Sequence, residues 1–205
     1  MKKIFLCLLF LTLSLNLCFP QNNSNWSFSN PQSFGGDYID FEFINENTGY
    51  AVSQGQILKS TDSGTNWKIL KYLNLPKNVI PISIYILNDS IIYIGCNMGY
   101  ILKYFNNKII ILNRNNFNFD EFRTIEFINE NIGFAGSNRY LYKTTNSGET
   151  WISINPLTIN NIFKIKFVDM NTGFLTSELG TIYKTTDTGV TWLMNKFPNS
   201  YENVK

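Results

Sequence analysis

Histidine is absent from all 205 residues, which removes the commonest general base and the commonest neutral metal ligand. Cysteine is almost absent: Cys7 and Cys18 lie in the N-terminal segment and Cys96 stands alone. Once that segment is processed no internal disulfide can form, and no cysteine-rich zinc site exists. Arginine occurs only as Arg114, Arg123 and Arg139. Net charge is missing too. The formal +2 belongs to Lys2 and Lys3, which leave 15 of the 17 basic residues to balance 15 acidic ones. A neutral domain offers no electrostatic footprint for nucleic acid or an anionic membrane. The apolar run Ile4 to Leu17 covers about 14 positions, short of the roughly 20 that span a bilayer.

What is present is hydrophobic residues at 44% and aromatics at 16%, ample for a packed core. Asparagine, at 29 positions scattered singly and in pairs, reads as turn chemistry. The N-terminus has a basic start, Met1-Lys2-Lys3, then the apolar run, then Cys18-Phe19-Pro20-Gln21. That is the anatomy of an export signal, expected over residues 1–20. Leu15-Asn16-Leu17-Cys18 resembles a lipobox that would place a lipid on Cys18, although Leu17 stands where Gly, Ala or Ser is usual. A small-residue cleavage site is no cleaner, so both processing routes stay open.

The rest of the chain repeats. Ser60-Thr61-Asp62-Ser63-Gly64-Thr65-Asn66-Trp67 recurs as Thr144-Thr145-Asn146-Ser147-Gly148-Glu149-Thr150-Trp151 and as Thr185-Thr186-Asp187-Thr188-Gly189-Val190-Thr191-Trp192. Trp26, Trp67, Trp151 and Trp192 are separated by 41, 84 and 41 positions, one lattice of about 42 with one tryptophan missing. Two further markers travel with each box. One is Phe43-Ile44-Asn45-Glu46-Asn47-Thr48-Gly49-Tyr50, repeated from Phe127 and Phe167. The other is a strand ending in lysine: Gly55 to Lys59, Gly99 to Lys103, Tyr140 to Lys143 and Gly180 to Lys184. Where the lattice asks for a second box, Tyr104 to Ile109 keeps an Asn106-Asn107 turn and loses Asp, Gly and Trp.

Each repeat holds four short apolar runs; in the first they are Tyr38 to Phe43, Tyr50 to Ser53, Ile57 to Lys59 and Trp67 to Leu70. No stretch shows a helical period, and four strands per repeat of this length mark a propeller blade. The expected fold is therefore all-β: a partial β-propeller of about four four-stranded blades, the second degenerate, at about 37–73, 77–113, 119–155 and 159–196. Residues 21–36 form a linker in which Trp26-Ser27-Phe28 reads as an outer closing strand. Four repeats leave the ring incomplete, so an open arc, a fragment of a longer gene, or closure by self-association is expected.

The box itself is a hairpin turn between third and fourth strands. Asp62, Asn146 and Asp187 can fold an acceptor onto turn N–H groups, Ser60, Thr144 and Thr185 can add a hydroxyl bond, and Gly64, Gly148 and Gly189 allow positive φ. Trp67, Trp151 and Trp192 would start the outer strand and lay their rings between sheets, each burying roughly 150–250 Å².

These boxes resemble the Asp-box, or BNR, repeat, Ser/Thr-x-Asp-x-Gly-x-Thr-Trp. With the two other markers, the stretch Trp26 to Lys196 is most similar to the propeller group typified by the photosystem II stability/assembly factor, which has many exported bacterial relatives. The resemblance implies a non-catalytic exported scaffold at the cell envelope, extracellular, periplasmic or outer-membrane-anchored, with a protein partner and no cofactor. It implies that the box is a structural turn away from the functional face. This chain has four repeats where members have about six to eight, and its three arginines do not make the Arg-rich patch of that factor, so no photosystem role carries over.

Competing readings are weaker on the residues. Phe122-Arg123-Thr124-Ile125 faintly resembles the Phe-Arg-Ile-Pro motif of sialidases, but the carboxylate clamp of that family takes three arginines where the chain has three in total, Arg114 lies in an Asn-rich loop, Pro is missing at position 125, and Arg123 aligns with Ile39 and Phe163 on a first strand. A degenerate sialidase-like or glycan-binding propeller is the alternative function. Asp62 and Asp187 lack the further oxygen ligands that calcium needs, so no metal site is expected. Asp120-Glu121 and Glu42 with Glu46 read as solvated loop or strand ends rather than an acid/base pair. Cys96 reads as a small core hydrophobe. Phe117 and Phe119, in the loop entering the third repeat, are candidate partner contacts.

Overall fold

The computed structural model describes residues 37–112, 120–154 and 161–195. They form four four-stranded antiparallel sheets, each a simple meander in sequence order. Blade 1 comprises β1 (Tyr38–Phe43), β2 (Gly49–Ser53), β3 (Gln56–Ser60) and β4 (Lys68–Tyr72). Blade 2 comprises β5 (Pro81–Asn88), β6 (Ile91–Cys96), β7 (Ile101–Phe105) and β8 (Lys108–Ile111). Blade 3 comprises β9 (Phe122–Phe127), β10 (Gly133–Ser137), β11 (Leu141–Thr144) and β12 (Ile152–Ser153). Blade 4 comprises β13 (Lys164–Phe167), β14 (Gly173–Ser177), β15 (Thr181–Thr185) and β16 (Leu193–Asn195), with a 3-10 turn at Glu178–Gly180. The export signal, Cys18, the Trp26 strand, Phe117 and Phe119 lie outside the described residues.

β1, β5, β9 and β13 contact one another in succession and so line the axis. The sheets then run outward. Every residue of β2 and β10 is buried, whereas β12 and β16 are exposed throughout. This gradient follows from place in the sheet: a second strand is hydrogen-bonded on both edges and packs against a neighbouring blade, whereas a fourth strand is the outer edge. Three clusters form the core, and they sit chiefly between blades rather than within them.

The Asn-x-Gly-aromatic marker now has a cause. Gly49, Gly133 and Gly173 pair across the first hairpin with Phe43, Phe127 and Phe167. In each case the phenyl ring lies on the glycine, so a Cβ there would sit 2.7 Å from it. The missing side chain is the seat of the ring. Blade 2 has Ile86 opposite Ile92 instead.

The arc is open. Phe41 of β1 corresponds by register to Ile84, Ile125 and Ile165, which are 5%, 3% and 0% exposed because a preceding blade covers them. Phe41 is 66% exposed.

Candidate functional site: box hairpins, blade seams and the upper face

The three boxes share one geometry. Ser60 Oγ accepts from Gly64 N at 2.9 Å, and Thr144 and Thr185 Oγ1 accept from Gly148 and Gly189 N at 2.9 and 3.0 Å. One oxygen of Asp62, Asn146 and Asp187 accepts from the backbone N–H of Asn66, Thr150 and Thr191 at 2.8, 2.9 and 2.9 Å. The other Asp187 oxygen takes the Thr191 hydroxyl at 2.6 Å. That hydroxyl first, then the Thr191 N–H and the Thr185 hydroxyl, hold the Asp187 carboxyl down at about 2. Asp62 is lowered chiefly by the Asn66 N–H. Asn146 accepts the same bond without a charge.

Two successive residues of each turn adopt positive φ. Besides Gly64, Gly148 and Gly189, these are Ser63, Ser147 and Thr188 at 58°, 56° and 57°. The left-handed pair turns the Ser/Thr N–H outward, where it donates to Asn47, Asn131 and Asn171 carbonyls at 2.9, 3.0 and 3.0 Å. The box therefore docks on the first hairpin turn of its own blade, which is itself closed by Asn45, Asn129 or Asp169 side chains. Much of the asparagine content is this turn chemistry. In blade 2, Asn106 and Asn107 carry φ of 49° and 59°, a two-residue type I′ turn in place of a box.

The tryptophans stand one residue before the outer strand, not within it. The ring folds back over the turn instead: Trp67 Nε1 donates to Gly64 O at 3.0 Å. Trp151 and Trp192 are 8% and 2% exposed at the seam with the preceding blade, and their Nε1 atoms find no acceptor among the described residues.

Each seam repeats a knob and a socket. The knob is an aromatic on the second strand with a lysine over its ring: Tyr50/Lys59, Tyr93/Lys103, Phe134/Lys143 and Phe174/Lys184, at 5.1 to 5.8 Å. The socket is the box of the next blade. Tyr93 stacks on Phe127 at 4.2 Å and Phe134 on Phe167 at 5.0 Å. Lys103 and Lys143 Nζ donate to Ser147 and Thr188 carbonyls at 3.4 and 2.8 Å. The recurring strand-end lysine thus serves the neighbouring blade. Blade 2 has no box, and there Asp89 replaces it: its carboxylate accepts from Tyr50 OH at 2.5 Å and pairs with Lys59 at 3.0 Å. The outer part of that seam is a groove of about 370 Å³ lined by Lys71, Tyr72, Asn107 and Lys108 among others.

The acidic residues need a correction. Glu42 is not a solvated strand end: it accepts from Ile86 N at 2.9 Å across the first seam, and desolvation raises its pKa. Asp120 is 2% exposed and accepts from Tyr142 OH at 2.5 Å and Ser137 OH at 3.3 Å. Asp40 and Glu42 lie on the face of β1 that meets blade 2, so their side chains become seam acceptors. Cys96 is fully buried, and burial pushes its thiol up to about 12.

Arg123 lies on a first strand, 3.0 Å from Glu121 and over the Phe163 ring. It opens onto the upper face, the end of the arc where the inner strands begin and the second hairpins turn; the boxes occupy the lower face. On the upper face Tyr38, Ile80, Met98, Tyr140 and Phe163 are 39% to 49% exposed. Arg139 stacks on Tyr140. Backbone bonds tie these loops together, from Gly99 N to Asp120 O, Asn138 N to Glu121 O and Asn161 N to Asn138 O. Sequence reasoning passed over this cluster. One signal was legible: Arg139-Tyr140 stands where the other repeats have Gly-x. Among the described residues no group of three His, Cys, Asp or Glu is placed to hold a metal, and no helix is long and apolar enough to cross a membrane.

Solved structures share this architecture. YCF48 from Cyanidioschyzon merolae superposes at a TM-score of 0.62 with 15% identity, over 76% of this chain and 52% of that one. The computationally designed Ika4 protein gives 0.59 at 12%, over 78% and 96%. The GH74 enzyme of Niastella koreensis gives 0.59 at 18%, over 77% and 30%. The chain thus spans about half the length of the YCF48 structure. No family model and no curated protein matches the sequence. At these identities the likeness establishes the fold. The chain is an all-β partial propeller of four four-stranded blades. Its solved likenesses include an enzyme, so the fold by itself leaves activity open.

Proposed function

We propose that this chain is a non-catalytic, exported interaction module of the Asp-box type, akin to the photosystem II assembly factor-like propellers of bacteria, and that it binds a protein partner through its upper face. The observation that carries this reading is the exposed set Tyr38, Met98, Tyr140 and Phe163 beside Arg123 and Arg139. Tyrosine, phenylalanine, methionine and arginine are the types that anchor protein interfaces. They sit on loops held by a rigid sheet scaffold, the usual place for recognition. The buried carboxylates support the non-catalytic part. Asp120 is occupied by Tyr142 and Ser137, and Glu126 by Phe167 N and Lys166. Export rests on the basic and apolar pattern of residues 1–20.

The test is affinity capture from envelope extract with wild type and with a Y140A/F163A/R139A variant. One saturable protein partner, retained by wild type and lost by the variant at unchanged far-UV circular dichroism, supports the reading. Binding to a glycan array instead, abolished by the same substitutions, would assign the face to sugar stacking and overturn it.

A further inference from the structure

The two ends of the arc match each other. Among the described residues no knob enters the socket of blade 1: Phe41 is 66% and Phe43 39% exposed, beside Trp67 and the Ser63-Gly64 turn. A Cβ on Gly148 would lie 3.2 Å from Tyr93, and one on Gly189 would lie 2.4 Å from Phe134, each the knob of the preceding blade. At Gly64 the nearest atoms are only Phe43 and Trp67 of its own blade. Blade 4 presents a knob around which the described residues place no socket: Lys184 lies over the Phe174 ring at 5.8 Å, the same kind of pair that meets the next blade at the internal seams.

The inner strands agree. In the first and third seams the side chains accept: Asp40 and Glu42 from Ile84 and Ile86 N, Thr124 and Glu126 from Ile165 and Phe167 N. In the second they donate: Ser83 and Tyr85 to the Phe122 and Phe127 carbonyls. At the equivalent places blade 4 has Lys164 and Lys166, which can only donate; Lys166 already pairs with Glu126 of blade 3 at 3.0 Å, so the donor offered to a further blade is Lys164. The carbonyls equivalent to those of Phe122 and Phe127 are those of Tyr38 and Phe43 on β1. The N–H of Phe41, which an accepting seam would need, is already taken by its own Asp40 at 2.9 Å. A donating knob face meets an accepting socket face.

We propose that a second copy of this chain docks head to tail, each copy's Phe174/Lys184 knob seating against the other's Phe43, Trp67 and Ser63 carbonyl. Two such seams close a ring of eight four-stranded blades, within the range that propellers adopt. Rings form from head-to-tail contacts when the rotation closes.

Sedimentation of the purified chain tests this, with F41D spoiling only the socket and F174D only the knob. Both side chains are at least partly exposed, and unchanged circular dichroism checks the fold. Wild type should run as a two-copy species at micromolar concentration, and each variant alone as a monomer. Mixing the variants should restore a one-to-one complex, because one intact knob then faces one intact socket; a symmetric face-to-face dimer gives no such rescue. A wild-type monomer at 100 µM, dimers indifferent to both variants, a mixture that stays monomeric, or open-ended polymers would each overturn the proposal.

Discussion

Gly189→Ala and Gly64→Ala occupy the same turn position, and the difference between them isolates what a seam adds to a box. Both glycines have positive φ, +69° and +82°, so alanine at either costs roughly 1–2 kcal/mol of left-handed backbone. The surroundings differ. At Gly189 the new methyl would lie 2.4 and 2.5 Å from Phe134 Cζ and Cε1. Phe134 cannot retreat: it is fully buried, stacked on Phe167 and edged by Trp192. Overpacking of that kind costs about 1–3 kcal/mol more. At Gly64 the nearest atom is Phe43 Cζ at 3.3 Å, on a ring with open space beyond it. We expect a loss of about 1–2 kcal/mol for Gly64→Ala and about 2–5 kcal/mol for Gly189→Ala. Urea unfolding followed by far-UV circular dichroism reads the difference. It should be made at submicromolar protein, so that no second copy fills the blade 1 socket. For a domain of this size the gap corresponds to a melting shift of roughly 2–12 °C. Equal losses at the two sites would refute the argument, since they would show that the backbone term is the whole cost.

Trp192→Ala should cost about 3–5 kcal/mol, and Trp67→Ala clearly less because the open end leaves that ring half-buried; the reverse order in the same titration would count against seam packing. Asp187 is held at about 2, below its ordinary 3.8, so its share of stability is present above pH 4 and fades as pH falls through about 2. The Thr191 amide resonance should titrate there and that of Thr150, bonded to neutral Asn146, should not. Glu42 is shifted the other way, its pKa raised by desolvation. Its contribution therefore declines as pH rises from the ordinary 4.5 through the raised pKa, and Glu42→Gln should flatten the decline while keeping the Ile86 bond. Glu42→Ala strands the Ile86 N–H and should cost about 1–3 kcal/mol at every pH, measured by urea midpoint.

The blade was legible because its signals are local in sequence. Trp67, Trp151 and Trp192 keep a fixed distance to a turn that needs Gly64, Gly148 and Gly189, and no packing partner has to be known to see it. The missing second box was equally plain, since Asn106-Asn107 is a sufficient hairpin signal on its own. The seams were not legible, because what one blade asks of the next lies about 40 positions away and takes different chemical forms. Asp40, Ser83 and Thr124 share one structural position, yet the first accepts from a backbone N–H, the second donates to a carbonyl, and the third accepts again. Read along one strand, Glu42 is a polar residue among apolar ones, and solvent is the natural guess. Its acceptor role appears only when Ile86 arrives from another sheet. The upper face escaped for a related reason: Phe163 and Arg123 come from different blades and meet only in the assembled arc.

The recurring lysine shows why such an array needs neighbours at all. Lys59 and Lys143 sit one residue before the box of their own blade, and Lys103 holds the same place on the third strand of blade 2, where a polar residue would suffice. Each instead lies over the aromatic knob of its own second strand and reaches across to the next blade, to Asp89, Ser147 O or Thr188 O. The ring supplies a face for the cation and the next turn supplies a carbonyl or carboxylate, so the charge is satisfied only when the seam is closed. A blade by itself has a knob with a half-solvated ammonium and a socket with an exposed ring. Among the described residues those are the two surfaces at the ends of the arc, on Phe174/Lys184 and on Phe41/Phe43, and they are the same two kinds of surface that the internal seams join.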